Sequence, residues 1–143
     1  MAIVYFDASA PVKLLTEEAG SDLAAQLWDG CDAPVSSRLA YPEVRAALAA
    51  ASRNHDLDAA DLDAAEADWE QYWAAVRPVE LTQAVEQKAG RLARQDALRA
   101  ADAVHLASAL AIGDPALVIA VWDRHLHAGA TAAGLRVAPA QLG

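Results

Sequence analysis

Short runs of consecutive apolar residues alternate along the chain with longer stretches in which apolar positions recur every three or four residues. Ile3-Val4-Tyr5-Phe6 and Leu117 to Trp122 are the strongest runs of the first kind. Both are rich in β-branched or aromatic types, too short for helices, and without polar alternation, the pattern of strands buried on both faces. Ala33 to Ser36, Arg77 to Leu81 and Arg136 to Ala138 are weaker strand candidates. The intervening stretches predict helices over Pro11 to Glu18, stopped at Gly20, and over Ser21 to Asp29 with Ser21 as cap. Further helices are predicted from Ser37 to Arg53, from Asp58 to Ala75, from a Thr82 cap to Arg94, from Arg99 to Ile112 and from Arg124 to Ala133. Pro42 either begins the third of these helices or kinks it. Gly113-Asp114-Pro115 and Gly134 end the last two. Strands alternating with helices call for an α/β fold with a parallel sheet covered on both faces.

In the stretch after Asp58, Leu62, Ala65, Trp69, Tyr72 and Trp73 fall on one stripe. Aromatic stripes at this spacing are usually buried, so core packing is the expectation and a partner-binding surface the alternative. A chain of 143 residues suits a single domain spanning 1–143. No apolar run reaches membrane-spanning length and no signal-type segment opens the chain, so a cytoplasmic location is expected. Cys31 is the sole cysteine, which excludes an internal disulfide and a cysteine-based zinc cage.

The net charge of −9 argues against simple electrostatic attraction to nucleic acid. Lys13, Arg38, Arg45, Arg99 and Arg124 nevertheless stand close in sequence to a set of acids with a common placement. Asp7 and Asp123 each follow an apolar strand at once, and Glu43 and Asp102 sit in the opening part of apolar helices. Each has an ordinary structural role available: Asp7 and Asp123 as N-caps, Asp102 as a favourable first-turn charge, Glu43 as a solvent-facing residue. A parallel sheet, however, sends strand C-termini and the helix N-termini that follow them to one edge, where open α/β sheets bind ligands. Two such carboxylates about 4 Å apart repel by roughly 4 kcal/mol at an effective dielectric near 20. A hard divalent cation relieves that repulsion, and Mg²⁺ or Mn²⁺ held by a few carboxylates is the form that binds phosphate substrates.

Four segments in this order resemble the successive motifs of PIN-domain ribonucleases, and more closely the VapC-type toxins of bacterial toxin–antitoxin pairs. They are Asp7 with Ser9, Ser36 to Val44 around Glu43, Leu98 to Ala107 around Asp102, and Trp122-Asp123-Arg124-His125-Leu126. The resemblance implies a three-layer sandwich around a five-stranded parallel sheet of order 3-2-1-4-5. It implies a homodimer, Mg²⁺ or Mn²⁺ as cofactor, and hydrolysis of RNA phosphodiester bonds. It also implies neutralisation by a cognate antitoxin, with no direct DNA binding expected without that partner. Asp7, Glu43, Asp102 and Asp123 match the family's acidic quartet, as metal ligands and catalytic groups, and Ser9 its hydroxyl near the metal. Where the family often has a threonine two residues before the last acid, Val121 stands here, so a hydroxyl that could orient Asp123 is missing.

On this reading cations held mainly by Asp7, Glu43 and Asp102 activate water for in-line attack on phosphorus, and Asp123 completes the site. Ser9 is expected to bond a ligand or the phosphate, with Ser37, Arg99 and Arg124 as further substrate-binding or supporting residues. His105, one turn after Asp102 on the same face, is within reach of substrate, but the expectation is a hydrogen-bonded, partly buried histidine, with His125 and His127 at the surface. Two rival readings come from other classes. Asp7 could be a phospho-acceptor, though Asp7-Ala8-Ser9 lacks the second acid of the haloacid-dehalogenase motif. The chain could instead be a non-catalytic interaction module that uses its aromatic stripe.

Overall fold

The computed structural model describes residues 2–143. Strands β1 (Ile3–Phe6), β2 (Ala33–Ser37), β3 (Arg77–Val79), β4 (Val118–Ala120) and β5 (Arg136–Ala138) form one sheet of order β3-β2-β1-β4-β5. Every pairing is parallel. The helices are α1 (Ser9–Leu15), α2 (Ser21–Gly30), α3 (Ala40–Arg53), α4 (Ala59–Ala75), α5 (Gln83–Gln95), α6 (Ala100–Ile112) and α7 (Arg124–Ala132). Strand order and parallel sense are as the sequence and its resemblance led us to expect. The order reverses between β1 and β4, which lie side by side with Phe6 opposite Ala120. The crevice beyond their C-terminal ends is therefore the switch point at which such sheets bind ligands.

Strand alternation divides the core into layers. Tyr5 points with Ile119 and Val121 into a cluster completed by Val85 and Leu92 of α5, Leu106 of α6 and Leu126 of α7. Val4, Phe6 and Ala120 point to the opposite face, against Ala10 of α1 and Leu27 and Trp28 of α2. Outside that layer, Val44 and Leu48 of α3 and Ala65 and Trp69 of α4 pack with Val12 and Leu15 of α1. The aromatic stripe belongs to this cluster: Trp69 is 1% exposed, and Tyr72 and Trp73 are half-buried against it. Tyr72 also meets the Trp28 ring edge-on at 4.9 Å between centroids. That packing removes the main support for an aromatic docking face. No helix among the described residues is long and apolar enough to cross a membrane.

Several boundaries differ from expectation for local reasons. Pro42 neither starts nor kinks α3: it is the third helical residue, in the first turn, where its missing N–H would have had no helical partner. Helix α1 starts at Ser9 rather than Pro11, because Asp7 Oδ1 accepts the Ala10 N–H at 3.1 Å and so caps the turn one residue beyond the usual place. Ser21 is the first residue of α2 and not its cap; its hydroxyl donates to the Thr16 carbonyl and accepts the Glu18 N–H, tying down the loop. Gly20 precedes it at φ +96, with the Trp122 indole so close that a Cβ would lie 2.6 Å from Nε1. Strand β4 is shorter than its apolar run: the Val121 N–H closes the ladder on the Ala138 carbonyl of β5, and the Trp122 N–H then turns to Ser9 Oγ. Cys31 is half-buried, its thiol donating to the Trp28 carbonyl.

Candidate active site

Two strand ends and two helix starts meet at the switch point. Asp7 is the residue after β1, and its backbone N–H still bonds the Ala120 carbonyl at the end of β4. Asp123 follows β4 and caps α7, accepting the Leu126 N–H on Oδ1 at 2.9 Å. Glu43 lies in the opening turn of α3 and Asp102 in that of α6. The four acids, with Ser9, Arg99, Ala101 and His105, line one cleft of about 350 Å³. The ordinary capping roles of Asp7 and Asp123 are real and coexist with this placement, since a carboxylate has two oxygens.

That division of labour recurs in the set. Asp7 uses Oδ1 for the Ala10 N–H and for the Ser9 hydroxyl at 2.6 Å. Glu43 uses Oε1 for His105 Nε2 at 2.6 Å, and Asp123 uses Oδ1 for its cap. The remaining oxygens are left for the cleft, where the exposed guanidinium of Arg99 reaches Asp102 Oδ2 and Asp123 Oδ2 at 3.4 Å each. Among the described residues, no three acidic, histidine or cysteine side chains stand so that they could hold an ion as arranged here. In chemistry the donor set suits a hard cation: it is all oxygen, anchored on one side and open on the other. The electrostatics agree. Burial pushes the Asp7 carboxyl up from 3.8 to about 6 against the pull of His105, Ser9 and Ala10. Burial, and then the charge of Asp123, raises Asp102 against the pull of Arg99. Positive charge in the cleft would relieve both.

The other expected residues fall in different places. Ser9 gives its proton to Asp7 Oδ1 and accepts the Trp122 N–H at 2.9 Å, so it braces Asp7 against β4 and has no proton left for a phosphate. Ser37 is buried below the cleft, accepting the Leu39 N–H in the turn that leads to Glu43. Arg124 is exposed at the start of α7 and does not line the cleft. The absence of a hydroxyl at Val121 is offset, because the cap bond and Arg99 already orient Asp123. His125 is exposed, whereas His127 is half-buried and bonds the Pro139 carbonyl.

Sequence reasoning missed the part played by His105. It is 2% exposed and joins Glu43 to the Tyr5 hydroxyl, 2.7 Å from Nδ1. Burial pulls its pKa down, but the Glu43 hydrogen bond and the nearby charges of Asp7, Glu43 and Asp102 outweigh it and raise it. Burial, and then Asp7, keeps the Tyr5 phenol well above its ordinary value. The only signal in the sequence was spacing: His105 lies one turn beyond Asp102, and Tyr5 two residues before Asp7 on the same strand face.

Known proteins resemble the chain at three levels. The PIN domain family model matches residues 4–126. Ribonuclease VapC45 of Mycobacterium tuberculosis (strain CDC 1551 / Oshkosh) is 75% identical over 142 residues, covering 99% of each chain. Ribonuclease VapC49 of strain ATCC 25618 / H37Rv matches with the same identity and coverage. Among solved structures, PAE2754 from Pyrobaculum aerophilum superposes with a TM-score of 0.72 at 20% identity, over 96% of this chain and 85% of that one. Mycobacterium tuberculosis VapC20, described as a sarcin-ricin loop cleaving toxin, gives 0.67 at 21% identity over 92% and 95%. VapBC2 from Rickettsia felis, bound to a DNA fragment from its promoter, gives 0.64 at 9% identity over 94% and 96%. At such identities the structures speak to the fold, whereas the family model and the full-length relatives speak to descent: this chain belongs to the PIN-domain family.

Proposed function

We propose that this chain is an endoribonuclease dependent on Mg²⁺ or Mn²⁺, acting as the toxin of a type II toxin–antitoxin pair. The observation that carries the reading is the gathering of Asp7, Glu43, Asp102 and Asp123 in one cleft at the sheet's switch point, with one oxygen of Asp7, of Glu43 and of Asp123 anchored by a hydrogen bond. The full-length relatives bear the name ribonuclease, which agrees with it. Asp7, Glu43 and Asp102 would hold the ion, with Asp123 completing the set. Bound there, Mg²⁺ or Mn²⁺ supplies the positive field that makes water a nucleophile at neutral pH and steadies the leaving oxygen.

The chain's own residues do the rest. Ser9 holds Asp7 in one rotamer, and His105 holds Glu43. Arg99 neutralises Asp102 and Asp123, and with an ion held there its exposed guanidinium would be free for a phosphate. No side-chain nucleophile is needed, which also sets aside the phospho-aspartate alternative. On the same reading the active species is a cytoplasmic homodimer, and a cognate antitoxin neutralises it. Purified protein with Mn²⁺ and mixed RNA should cleave, stop when a chelator is added, and lose cleavage in Asp7→Asn with the fold retained. Equal cleavage with and without chelator, or full activity in Asp7→Asn, would defeat the proposal.

A further inference from the structure

Three side chains from separate elements form a hydrogen-bonded chain through the interior: Tyr5 of β1, His105 of α6 and Glu43 of α3. The first two are essentially solvent-free, at 0% and 2% exposure; Glu43 and His105 line the cleft, and Tyr5 does not. Tyr5 sits in an apolar cluster with Leu106 and Ile119. Buried polar groups in such a place add little net stability, about 1 kcal/mol per bond, and cost more than that when one partner is lost. Packing alone would be served as well by apolar residues at positions 5 and 105.

Donor and acceptor capacities give the chain a direction. The Glu43 carboxylate only accepts, so His105 Nε2 carries the proton between them. Nδ1 meets the Tyr5 hydroxyl, accepting from it in the neutral ring and donating to it in the imidazolium, so the bond is kept in both states. The ring stands edge-on to Tyr5, at 80° and 5.8 Å between centroids, which fixes its plane. Glu43 thus has one oxygen held by a buried histidine that is itself held by a buried tyrosine.

We infer that His105, braced by Tyr5, is the positioning residue that fixes the Glu43 carboxylate for cation capture. The inference rests on the metal-dependent reading above. Supporting residues behind a ligand typically carry 10- to 100-fold in metal affinity, because a free carboxylate must lose rotamer freedom when it binds. The test is Mn²⁺ titration by calorimetry, which needs no turnover, combined with thermal unfolding. In Tyr5→Phe/His105→Leu both buried partners become apolar together, so the fold is expected to be as stable as the parent or slightly more. Its Mn²⁺ affinity is expected to fall by about 10- to 100-fold. A folded double variant that takes up Mn²⁺ within twofold of the parent overturns the inference. Should the double variant fail to fold, Tyr5→Phe alone decides: weakening of about fivefold or more supports the assignment, and a smaller change overturns it. A parent chain that takes up no Mn²⁺ sinks the metal-dependent reading itself, an outcome distinct from loss of the difference between variants.

Discussion

Asp7→Asn should stabilise the metal-free protein at neutral pH while removing its activity. Asp7 is 4% exposed, and burial raises its carboxyl from 3.8 to about 6. Because the folded value lies above the unfolded one, the folded chain holds the proton more tightly. The ionised group therefore opposes folding as pH rises through the window from 3.8 to about 6, and does so fully above it. At about 1.4 kcal/mol per tenfold, that gap is about 3 kcal/mol at pH 7.5, falling to roughly 0.6 kcal/mol at pH 4. An amide keeps the Oδ1 acceptor for the Ala10 N–H and the Ser9 hydroxyl, and places its NH₂ where the second oxygen faces the cleft. That gap is already net of the pull of His105, Ser9 and Ala10 on the ionised form, so the neutral amide stands in for the protonated carboxyl. A net gain of about 1–3 kcal/mol at pH 7.5 is expected, shrinking steadily toward pH 4. Urea unfolding in chelator at pH 7.5, 6, 5 and 4 measures it. A variant that is destabilised at pH 7.5, or whose difference from the parent does not depend on pH, refutes the account of Asp7 as an uncompensated buried charge.

If the metal-dependent reading holds, the same carboxyl should govern metal uptake: below pH 6 an ion would have to displace a proton from Asp7, so Mn²⁺ affinity should fall toward tenfold per pH unit, and a flat profile between pH 5 and 7 would contradict it. Arg99 is 74% exposed and competes with an ion for Asp102 and Asp123. Arg99→Ala should therefore change stability by less than about 1 kcal/mol and tighten Mn²⁺ binding by about two- to fivefold in calorimetry; weaker binding would show that Arg99 arranges the acids rather than competing for them. Gly20→Ala puts a Cβ 2.6 Å from Trp122 Nε1 at a φ of +96, and should cost about 2 kcal/mol or more in urea unfolding with a shifted tryptophan emission. A loss below about 0.5 kcal/mol would mean that the indole moves aside freely.

Much of this architecture could be read from residue order because its determinants are local. Ile3 to Phe6 has no alternative to a doubly buried strand, and Thr82, Asp58 and Asp123 cap the helices that follow them, as their side-chain bonds to the N–H three residues on show. One boundary that differed was set by a partner distant in sequence: the Trp122 N–H beyond β4 goes to Ser9 Oγ, 113 residues away, whereas the start of α1 two residues early rests on the local bond from Ala10 to Asp7. The acids were legible as a set because each sits at the end of an element, where a parallel sheet gathers side chains to one rim.

The sequence by itself determined which residues could do chemistry and on which edge of the sheet they would stand, since strand period, helix starts and the right-handed crossover follow from short-range sterics and patterning. Which oxygen of each carboxylate is occupied and which is left open was decided only by the tertiary structure. Ser9 bonds Asp7 and so turns away from substrate, Arg99 spans Asp102 and Asp123, and His105 reaches Glu43 62 residues away. The physical reason is that hydrogen bonds act over about 3 Å, so they depend on how β1, α3 and α6 are packed together, and that packing is a property of the whole core rather than of any one stretch.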